Sequence, residues 1–317
     1  MLATGLGFAG LTDFWPLLLL AFAGTLNPTA GDVSVFLPTE QALLADDTEP
    51  ADRTRVFARY SVAGGLLGAL GALASGGPDL LASSLGWERL LALRAGFVLY
   101  GLVALAIAAV YLGLDRHELP RTATRTPLAK SRRVVLQLAA LFSLDSFGGG
   151  LVVQSLLVLW LFERFALSPA GAGAVFFGAG LLSAGSQLAS PLLAARIGLI
   201  RTMVYTHLPA NLMLIGAALV PGAELAIALL LGRAALSQMD VPARQAYVMS
   251  VVAPEERAAA ASVTNVPRSL ATALAPLLAG ALLTQSSFGW PLILAGSLKI
   301  TYDLILLALF REREPPL

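Results

Sequence analysis

Long apolar segments dominate this 317-residue sequence and restrict it to folds that a lipid bilayer can hold. A helix needs roughly 20 apolar residues to cross the hydrocarbon core of a membrane. Nine windows meet this requirement, at about 16–44, 57–77, 90–114, 134–162, 169–192, 202–220, 225–250, 259–284 and 292–310. A stretch at about 1–11 is too short to cross. Gly, Ala and Leu fill the windows without strand-like alternation, so the sequence predicts an all-α integral membrane protein rather than a β-barrel.

The composition excludes several classes of function. Charged residues make up 13% of the chain, against about a quarter in soluble domains, and a net charge of +1 gives no general attraction to nucleic acid. The absence of cysteine excludes disulfides, iron–sulfur clusters and thiol catalysis. Neither a nucleotide-binding loop nor a nucleophile–base set is present, and two histidines give no reason to expect a metal site. We therefore expect no enzymatic activity, no cofactor and no metal.

Basic residues are distributed unevenly between the two sides of the predicted spans. Short cytoplasmic loops carry an excess of Lys and Arg, so the richer side and the C-terminus are expected to be cytoplasmic. The richer side holds Arg53, Arg55, Arg59, Arg116, Arg121, Arg125, Lys130, Arg132, Arg133, Arg196, Arg201, Arg257, Arg311 and Arg313, and the other side holds Arg89, Arg94 and Arg164. The sequence thus predicts a multi-pass protein of the cell inner (plasma) membrane.

The longest basic connector, at about 115–133, divides the chain. It contains Pro120, Pro127 and several Thr and Arg residues, a composition typical of a loop. We interpret it as a cytoplasmic linker. The predicted domains are an incomplete N-terminal bundle at 1–114, the linker at 115–133 and a C-terminal six-helix bundle at 134–317.

Two segments 204 residues apart resemble each other. Pro38-Thr39-Glu40-Gln41-Ala42 matches Pro242-Ala243-Arg244-Gln245-Ala246, and Pro50-Ala51-Asp52-Arg53 matches Pro254-Glu255-Glu256-Arg257. Both copies close an apolar segment and enter a short charged loop. A repeat of about 200 residues in an apolar chain indicates two parallel halves of a transporter.

The two halves differ in length. Three predicted spans lie between the linker and the second copy, whereas only the stub at 1–11 precedes the first 16–44 span. A matching first half is therefore expected to begin roughly 70 residues upstream of Met1. We interpret the stub as the end of a third helix, so that the chain corresponds to a six-plus-six protein without its first two and a half helices.

These features resemble the major facilitator superfamily, and most closely its bacterial efflux-type members. The segment Ala195-Arg196-Ile197-Gly198-Leu199-Ile200-Arg201 is similar to the second-half copy of the family's charged loop motif, with Ala195 where Asp is usual. The two Pro-x-x-Arg segments resemble the loops after helices four and ten. The resemblance implies two six-helix bundles around a central cavity, lined by helices four, five, seven, eight, ten and eleven. It also implies that helices three, six, nine and twelve lie outside.

One feature of the proton-coupled exporters in this family is missing. These exporters carry an Arg in helix four, but residues 21–28 contain none, whereas the second-half counterpart contains Arg233. The usual coupling residue is therefore not expected in this chain.

Ionisable side chains inside the predicted spans are candidates for function, because each costs at least about 2–3 kcal/mol to place in a bilayer. Asp145 lies near the middle of the 134–162 span and precedes Gly148-Gly149-Gly150, which permit local unwinding. We expect Asp145 to carry a proton; the alternative is a purely structural role. The substrate or proton-coupling candidates are Asp145, Asp32, Arg233, Arg268, Gln154 and Asn265.

A second group of residues is expected to gate the cytoplasmic side. Asp240 and Arg244 are four residues apart and can neutralise each other. Glu40 is the repeat equivalent of Arg244 with the opposite charge, which suggests a pair between the two halves. The gate candidates are Glu40, Arg244, Asp240, Arg196 and Arg201.

Two further ionisable sites are expected to serve structure only. Lys299 and Asp303 have the same four-residue spacing in the last span, so we expect them to neutralise each other. His207, next to Pro209, is also expected to be structural.

The sequence predicts secondary active transport of a small molecule, in the form of proton-coupled efflux by alternating access through an antiporter-type permease. The alternatives are a permease for uptake of a sugar or organic anion, and a non-transporting remnant or assembly partner in the membrane. The expected partners are a small-molecule substrate, protons and the lipid bilayer, without nucleic acid. The chain is expected to be a monomer.

Overall fold

The computed structural model describes residues 1–24, 37–74, 77–113, 128–167 and 169–312, and within these ranges its regular structure is helical. The helices are α1 (Leu2–Gly10), α2 (Phe14–Ala23), α3 (Leu37–Asp46), α4 (Arg53–Ala74), α5 (Gly77–Leu85), α6 (Arg89–Gly113), α7 (Arg132–Gly150), α8 (Gln154–Phe165), α9 (Pro169–Ile197), α10 (Leu199–Leu219), α11 (Ala223–Ala234), α12 (Asp240–Val251), α13 (Arg257–Gln285) and α14 (Trp290–Phe310). Short 3₁₀ turns at Pro50–Asp52 and Pro254–Glu256 precede α4 and α13.

The chain forms two compact units, one made of residues 1–34 and 65–123 and the other of residues 35–64 and 124–317. In the described part of the first unit, α1 packs against α6. The rings of Phe8 and Phe97 stack there with centroids 5.0 Å apart. The predicted domain limits at 114 and 133 remain a prediction.

The second unit contains the larger core. In it α7 packs against α13 and α14, α10 packs against α14, α11 and α12, and α3 packs against α13 and α12. Its largest fully buried side chains are aromatic: Trp160, Tyr247, Tyr302, Phe57, Phe142 and Phe310. This unit holds the polar residues described below.

Two of the predicted continuous spans are broken. The 134–162 window contains α7 and α8, separated at residues 151–153 next to the three glycines, as local unwinding predicts. A Cβ on Gly150 would lie 2.6 Å from the Thr272 carbonyl oxygen, so this glycine lets α7 approach the α13 backbone closely. The 225–250 window contains α11 and α12, separated by turns at 235–239. Pro242 has no N–H to donate and is tolerated in the first turn of α12, where none is needed.

Six described segments are long and apolar enough to cross a membrane. They span Arg89–Leu112, Arg132–Phe165, Gly171–Ile197, Leu199–Leu219, Pro254–Gln285 and Trp290–Phe310. Of the other predicted windows, 16–44 and 57–77 include residues outside the described ranges, and 225–250 is the broken α11–α12 pair. The short helix α5 was not predicted. The all-helical, multi-pass architecture is confirmed.

The sequence repeat is also a structural repeat. In each copy a helix ends, a 3₁₀ turn begins at a proline and the next helix begins at an arginine: Pro50 and Arg53 in the first, Pro254 and Arg257 in the second. The two loops, 204 residues apart in the sequence, therefore have the same order of secondary structure.

Candidate functional site

Asp145 lies at the centre of a buried set of polar side chains. Its side chain on α7 is almost inaccessible to solvent, since the residue is 5% exposed. Lys299 on α14 donates to one carboxylate oxygen, Oδ1, at 2.6 Å, and Arg244 on α12 donates to the other, Oδ2, at 3.3 Å. Two cationic donors from two other helices thus hold one carboxylate.

Arg244 joins Asp145 to a second carboxylate. Its Nη1 lies 3.3 Å from Asp240 Oδ2, as the four-residue spacing predicts. Its guanidinium also lies 5.5 Å from the ring centroid of Phe142 on α7, within range of a cation–π contact.

The predicted Lys299–Asp303 pair is wrong, because each residue has partners on other helices. Asp303 accepts from Asn211 Nδ2 at 3.1 Å and lies 2.9 Å from His207 Nδ1, both on α10. Lys299 instead reaches α7, where its stem passes beside Gly148; a Cβ there would be 3.1 Å from Lys299 Cγ. The interhelical contacts outweigh the local spacing because both side chains are buried and need close partners.

His207 connects the two ends of this network. Its Nδ1 faces Asp303 and its Nε2 lies 3.7 Å from Asp145 Oδ1. The residue is 3% exposed, and its ring packs edge to face with Tyr302 at a centroid distance of 6.0 Å. We call the linked residues the charge cluster: Asp145, His207, Asn211, Asp240, Arg244, Lys299 and Asp303.

A row of polar side chains runs beside the charge cluster towards α3. Arg268 on α13 donates to Ser146 Oγ and to Asn265 Oδ1, each at 3.1 Å. Asn265 in turn donates to Gln41 Oε1 on α3 at 3.3 Å. Because Ser146 follows Asp145 directly, this row leads to the edge of the cluster.

The structure brings some of the predicted site residues together and leaves others apart. Asp145, Arg268 and Asn265 lie in or beside the charge cluster. Arg233 is half-buried on α11, and its Nε has no hydrogen-bond partner among the residues that the structure describes. Gln154 is exposed at the start of α8, and Asp32 lies outside the described residues.

The predicted gate residues also separate. Arg244 and Asp240 belong to the charge cluster, whereas Glu40 accepts a hydrogen bond from the Tyr60 hydroxyl. Arg196 and Arg201 are exposed on either side of the loop between α9 and α10. Arg244 contacts Asp145 and Asp240 here, and the Glu40–Arg244 pair stays a prediction.

A reciprocal contact links the two repeat copies. Arg53 donates through Nε to the Ala45 carbonyl at 3.2 Å, and Arg257 donates in the same way to the Met249 carbonyl at 3.1 Å. Each arginine also reaches the other copy. Arg53 Nη1 donates to Ser250 Oγ at 3.5 Å, and Arg257 pairs with Asp46, which is the repeat equivalent of Ser250. We call these two crossed contacts the arginine latch.

The loop of the second copy also holds the chain just before α7. The buried carboxylate of Glu256 accepts backbone hydrogen bonds from Ala129, Lys130 and Ser131, at 2.8 to 2.9 Å. On the exposed surface, the ammonium of Lys130 donates to Glu255 at 2.8 Å, which raises the pKa of Lys130. Negative charge at the start of a helix is favourable, so the contact fixes where α7 begins.

The described residues contain no group of three or more metal-binding side chains that could hold an ion. The polar contacts described in this region are ion pairs and hydrogen bonds, one of them from an imidazole.

Comparison with known proteins decides the family. The model of the Major Facilitator Superfamily matches residues 1–237. The chain belongs to the Major Facilitator Superfamily. Members of this family are membrane transporters, and the six long apolar segments agree with a multi-pass membrane protein.

Individual relatives agree with this assignment. The chain is 27% identical over 350 residues to the uncharacterized membrane protein YJR124C of Saccharomyces cerevisiae, with 98% of this chain and 77% of the yeast protein covered. The fold is similar to that of the human organic anion transporter MFSD10 (TETRAN), with a TM-score of 0.71 at 18% identity over 96% of this chain and 74% of that one. A bacterial homologue of the iron transporter ferroportin, in its outward-facing state, has a TM-score of 0.63 at 16% identity, covering 97% and 79%.

The pairing of Lys299 can be tested by double-mutant cycles on the unfolding free energy in mixed micelles. We expect K299Q and D145N to couple by about 1–3 kcal/mol, because their side chains touch, whereas K299Q and D303N couple more weakly. Each single variant is expected to lose about 3–5 kcal/mol where it leaves an unpaired buried charge. A larger coupling between positions 299 and 303 would contradict the observed pairing.

Proposed function

We propose that this chain is a secondary active transporter that moves a small molecule across the membrane by alternating access, most simply as proton-coupled efflux. The observation that carries the proposal is the charge cluster. Seven polar residues from four helices are gathered in the interior of a membrane protein, where each charge is costly. Packing alone would be served as well by apolar side chains, so a role in coupling or binding explains why the cluster is charged.

The polar row beside the cluster supplies a place for substrate to act. Arg268, Asn265 and Gln41 are three hydrogen-bonding side chains on α13 and α3. These two helices correspond to helices eleven and four of the family, which the resemblance places at the cavity. A ligand that replaces one of these hydrogen bonds changes the contact of Arg268 with Ser146, next to Asp145. Substrate binding and the ionic state of the cluster would thereby be linked.

A second candidate, transport of an organic anion, is favoured by two arginines. The hydrogen bonds that the structure gives Arg268 go to neutral groups, Ser146 and Asn265. In the described part of the chain, the buried Nε of Arg233 has no hydrogen-bond partner. By contrast, Arg244 and Lys299 are held by Asp145. A guanidinium without a carboxylate suits an anionic ligand, and the fold-related MFSD10 is described as an organic anion transporter.

The arginine latch supports alternating access. Two contacts, Arg53–Ser250 and Arg257–Asp46, connect α3 and α4 to α12 and α13. On the predicted topology this side is cytoplasmic, as is the C-terminus. The latch then belongs to a state closed to the cytoplasm, and breaking it would be required to open that side.

Transport by the reconstituted chain tests the proposed function. Proteoliposomes are given a panel of drugs, sugars and organic anions, with and without a proton uncoupler. We expect uncoupler-sensitive movement of at least one compound, and a loss of at least about tenfold in D145N and R268Q. Matched controls are E224Q and R133Q, which remove exposed charges at the ends of α11 and α7.

The same panel separates the alternatives. If the substrate is an anion, R268K keeps most of the transport activity and R268Q loses it. If the substrate is neutral, its transport rate depends less on the charge at position 268. Transport at the same rate with and without the uncoupler would contradict proton coupling. No transport of any compound by the folded wild-type chain would favour a non-transporting membrane protein.

Exchanging the two halves of the latch tests the gate. S250D adds a second ion pair, with Arg53, and we expect it to slow turnover at least about threefold by stabilising the closed state. The double variant D46S/S250D moves the single ion pair from Arg257 to Arg53 and is expected to regain at least half of the wild-type rate. Equal rates in wild type and S250D would contradict a latch that opens during transport.

A further inference from the structure

We propose that His207, seated between Asp145 and Asp303, is the residue that binds the coupling proton; this inference rests on the proposed function. The sequence alone predicts that role for Asp145. The structure instead surrounds Asp145 with cationic donors and gives the imidazole two carboxylate neighbours.

Asp145 is poorly placed to take up a proton. Both of its oxygens accept from cations, Oδ1 from Lys299 at 2.6 Å and Oδ2 from Arg244 at 3.3 Å. Hydrogen bonds from positive groups favour the ionised carboxylate. Protonation would remove the charge that both cations contact and leave the buried ammonium of Lys299 without an ionised hydrogen-bond partner, which is strongly unfavourable.

His207 has the geometry of a site with room for one more proton. Its Nδ1 makes a 2.9 Å contact with Asp303 Oδ1, while its Nε2 lies 3.7 Å from Asp145 Oδ1, beyond hydrogen-bond distance. A neutral imidazole has one N–H and an imidazolium has two. With a proton on Nδ1 directed at Asp303, Nε2 keeps a free lone pair next to a second carboxylate. Histidine is also the side chain whose ordinary titration lies between pH 5 and 8.

The charges in direct contact favour this proton. The cluster holds three carboxylates and two fixed cations, Arg244 and Lys299. A proton on His207 makes the two signs equal. Arg268 lies beside the cluster, and its described hydrogen bonds go to Ser146 and Asn265 rather than to a carboxylate of the cluster. Arg233 lies on α11, outside the cluster. Besides Asp145 on α7, the helices packed against α10 carry these charged or titratable residues: Arg196 (α9, exposed), Glu224 (exposed) and Arg233 (α11), Asp240, Arg244 and Tyr247 (α12), and Lys299, Tyr302 and Asp303 (α14).

Protonation of His207 would change the contacts of Asp145. The new Nε2–H bond would be directed at Oδ1, the same oxygen that accepts from Lys299. The imidazolium and the ammonium then compete for one acceptor and repel each other. Binding the proton therefore weakens the α7–α14 contact, and releasing it restores that contact. A proton taken from water on one side and released on the other would in this way shift the balance between two helix arrangements.

Nuclear magnetic resonance can observe this proton directly, because the chain has only two histidines, His117 and His207. The purified full-length chain, labelled at histidine with ¹³C and ¹⁵N, is titrated from pH 5 to 9 in detergent micelles. The H117Q variant leaves one imidazole signal, which belongs to His207. We expect that signal to move from the neutral to the doubly protonated form as the pH falls.

Three variants then separate a proton site from a structural histidine. D303N removes the negative charge beside Nδ1 and is expected to lower the protonated fraction of His207 by at least about threefold at the wild-type midpoint. K299Q removes the competitor for Asp145 Oδ1 and is expected to raise that fraction by a similar factor. K130Q removes an exposed positive charge and is expected to leave it unchanged.

The two proposals can fail separately. A His207 signal that does not change between pH 5 and 9, or that is unaffected by K299Q, would overturn the proton site even if transport proved to be proton-driven. If the signal behaves as expected but the wild-type chain moves no compound, the proton site stands and the proposed function falls. Full proton-driven transport by H207Q would also overturn the inference.

Discussion

The cost of placing the carboxylate of Asp145 inside a membrane protein explains much of the second unit's architecture. An ionised group at that depth is tolerated only when other groups satisfy it. Lys299 and Arg244 do so from α14 and α12, and His207 and Asn211 continue the network through Asp303. Four helices must therefore meet around one side chain, and close packing follows from that requirement. A Cβ on Gly296 would lie 2.5 Å from Ile215 Cγ1, which shows how closely α14 approaches α10 beside the cluster.

The repeat gives this protein both symmetry and asymmetry. The arginine latch is symmetric: Arg53 and Arg257 each bind the carbonyl eight residues earlier and cross to the other copy. The charge cluster is not symmetric. Shifted by the same offset of 204 residues, Lys299 and Asp303 correspond to Ala95 and Leu99. Both halves contribute residues to the latch, whereas the charge cluster lies in the second half alone. This is consistent with a transporter in which the two halves have different tasks.

Periodic and compositional features of the sequence predicted the fold well. The apolar windows identified the helical membrane architecture, the glycines after Asp145 marked a real break, and the Pro-x-x-Arg segments became matching turns. These features depend on local chemistry, so one sequence is enough to recognise them. The break between α11 and α12 was missed, although Pro242 offered a signal for it.

The site was predicted less completely, because its contacts join residues far apart in the chain. Asp145 was selected by its depth in a span, and depth is visible in a sequence. Lys299 and Asp303 were paired by spacing, but the structure directs them to α7 and α10 instead. The sequence predicts only a structural role for His207, since its two carboxylate neighbours lie 62 and 96 residues away along the chain. The sequence did contain a signal: one histidine and two aspartates lie within predicted spans, where each of these side chains needs a polar partner.

The central claim is that protonation of the charge cluster controls whether the latched side is open. Double electron–electron resonance tests it most directly, with spin labels on A51C and E255C, which occupy equivalent exposed positions in the two loops of a cysteine-free chain. In lipid bilayers we expect two distance populations whose proportions change between pH 5.5 and 8.5 in the wild-type background and stay constant in H207Q. A single distance between the two labels that does not change with pH in the wild-type background would contradict the account.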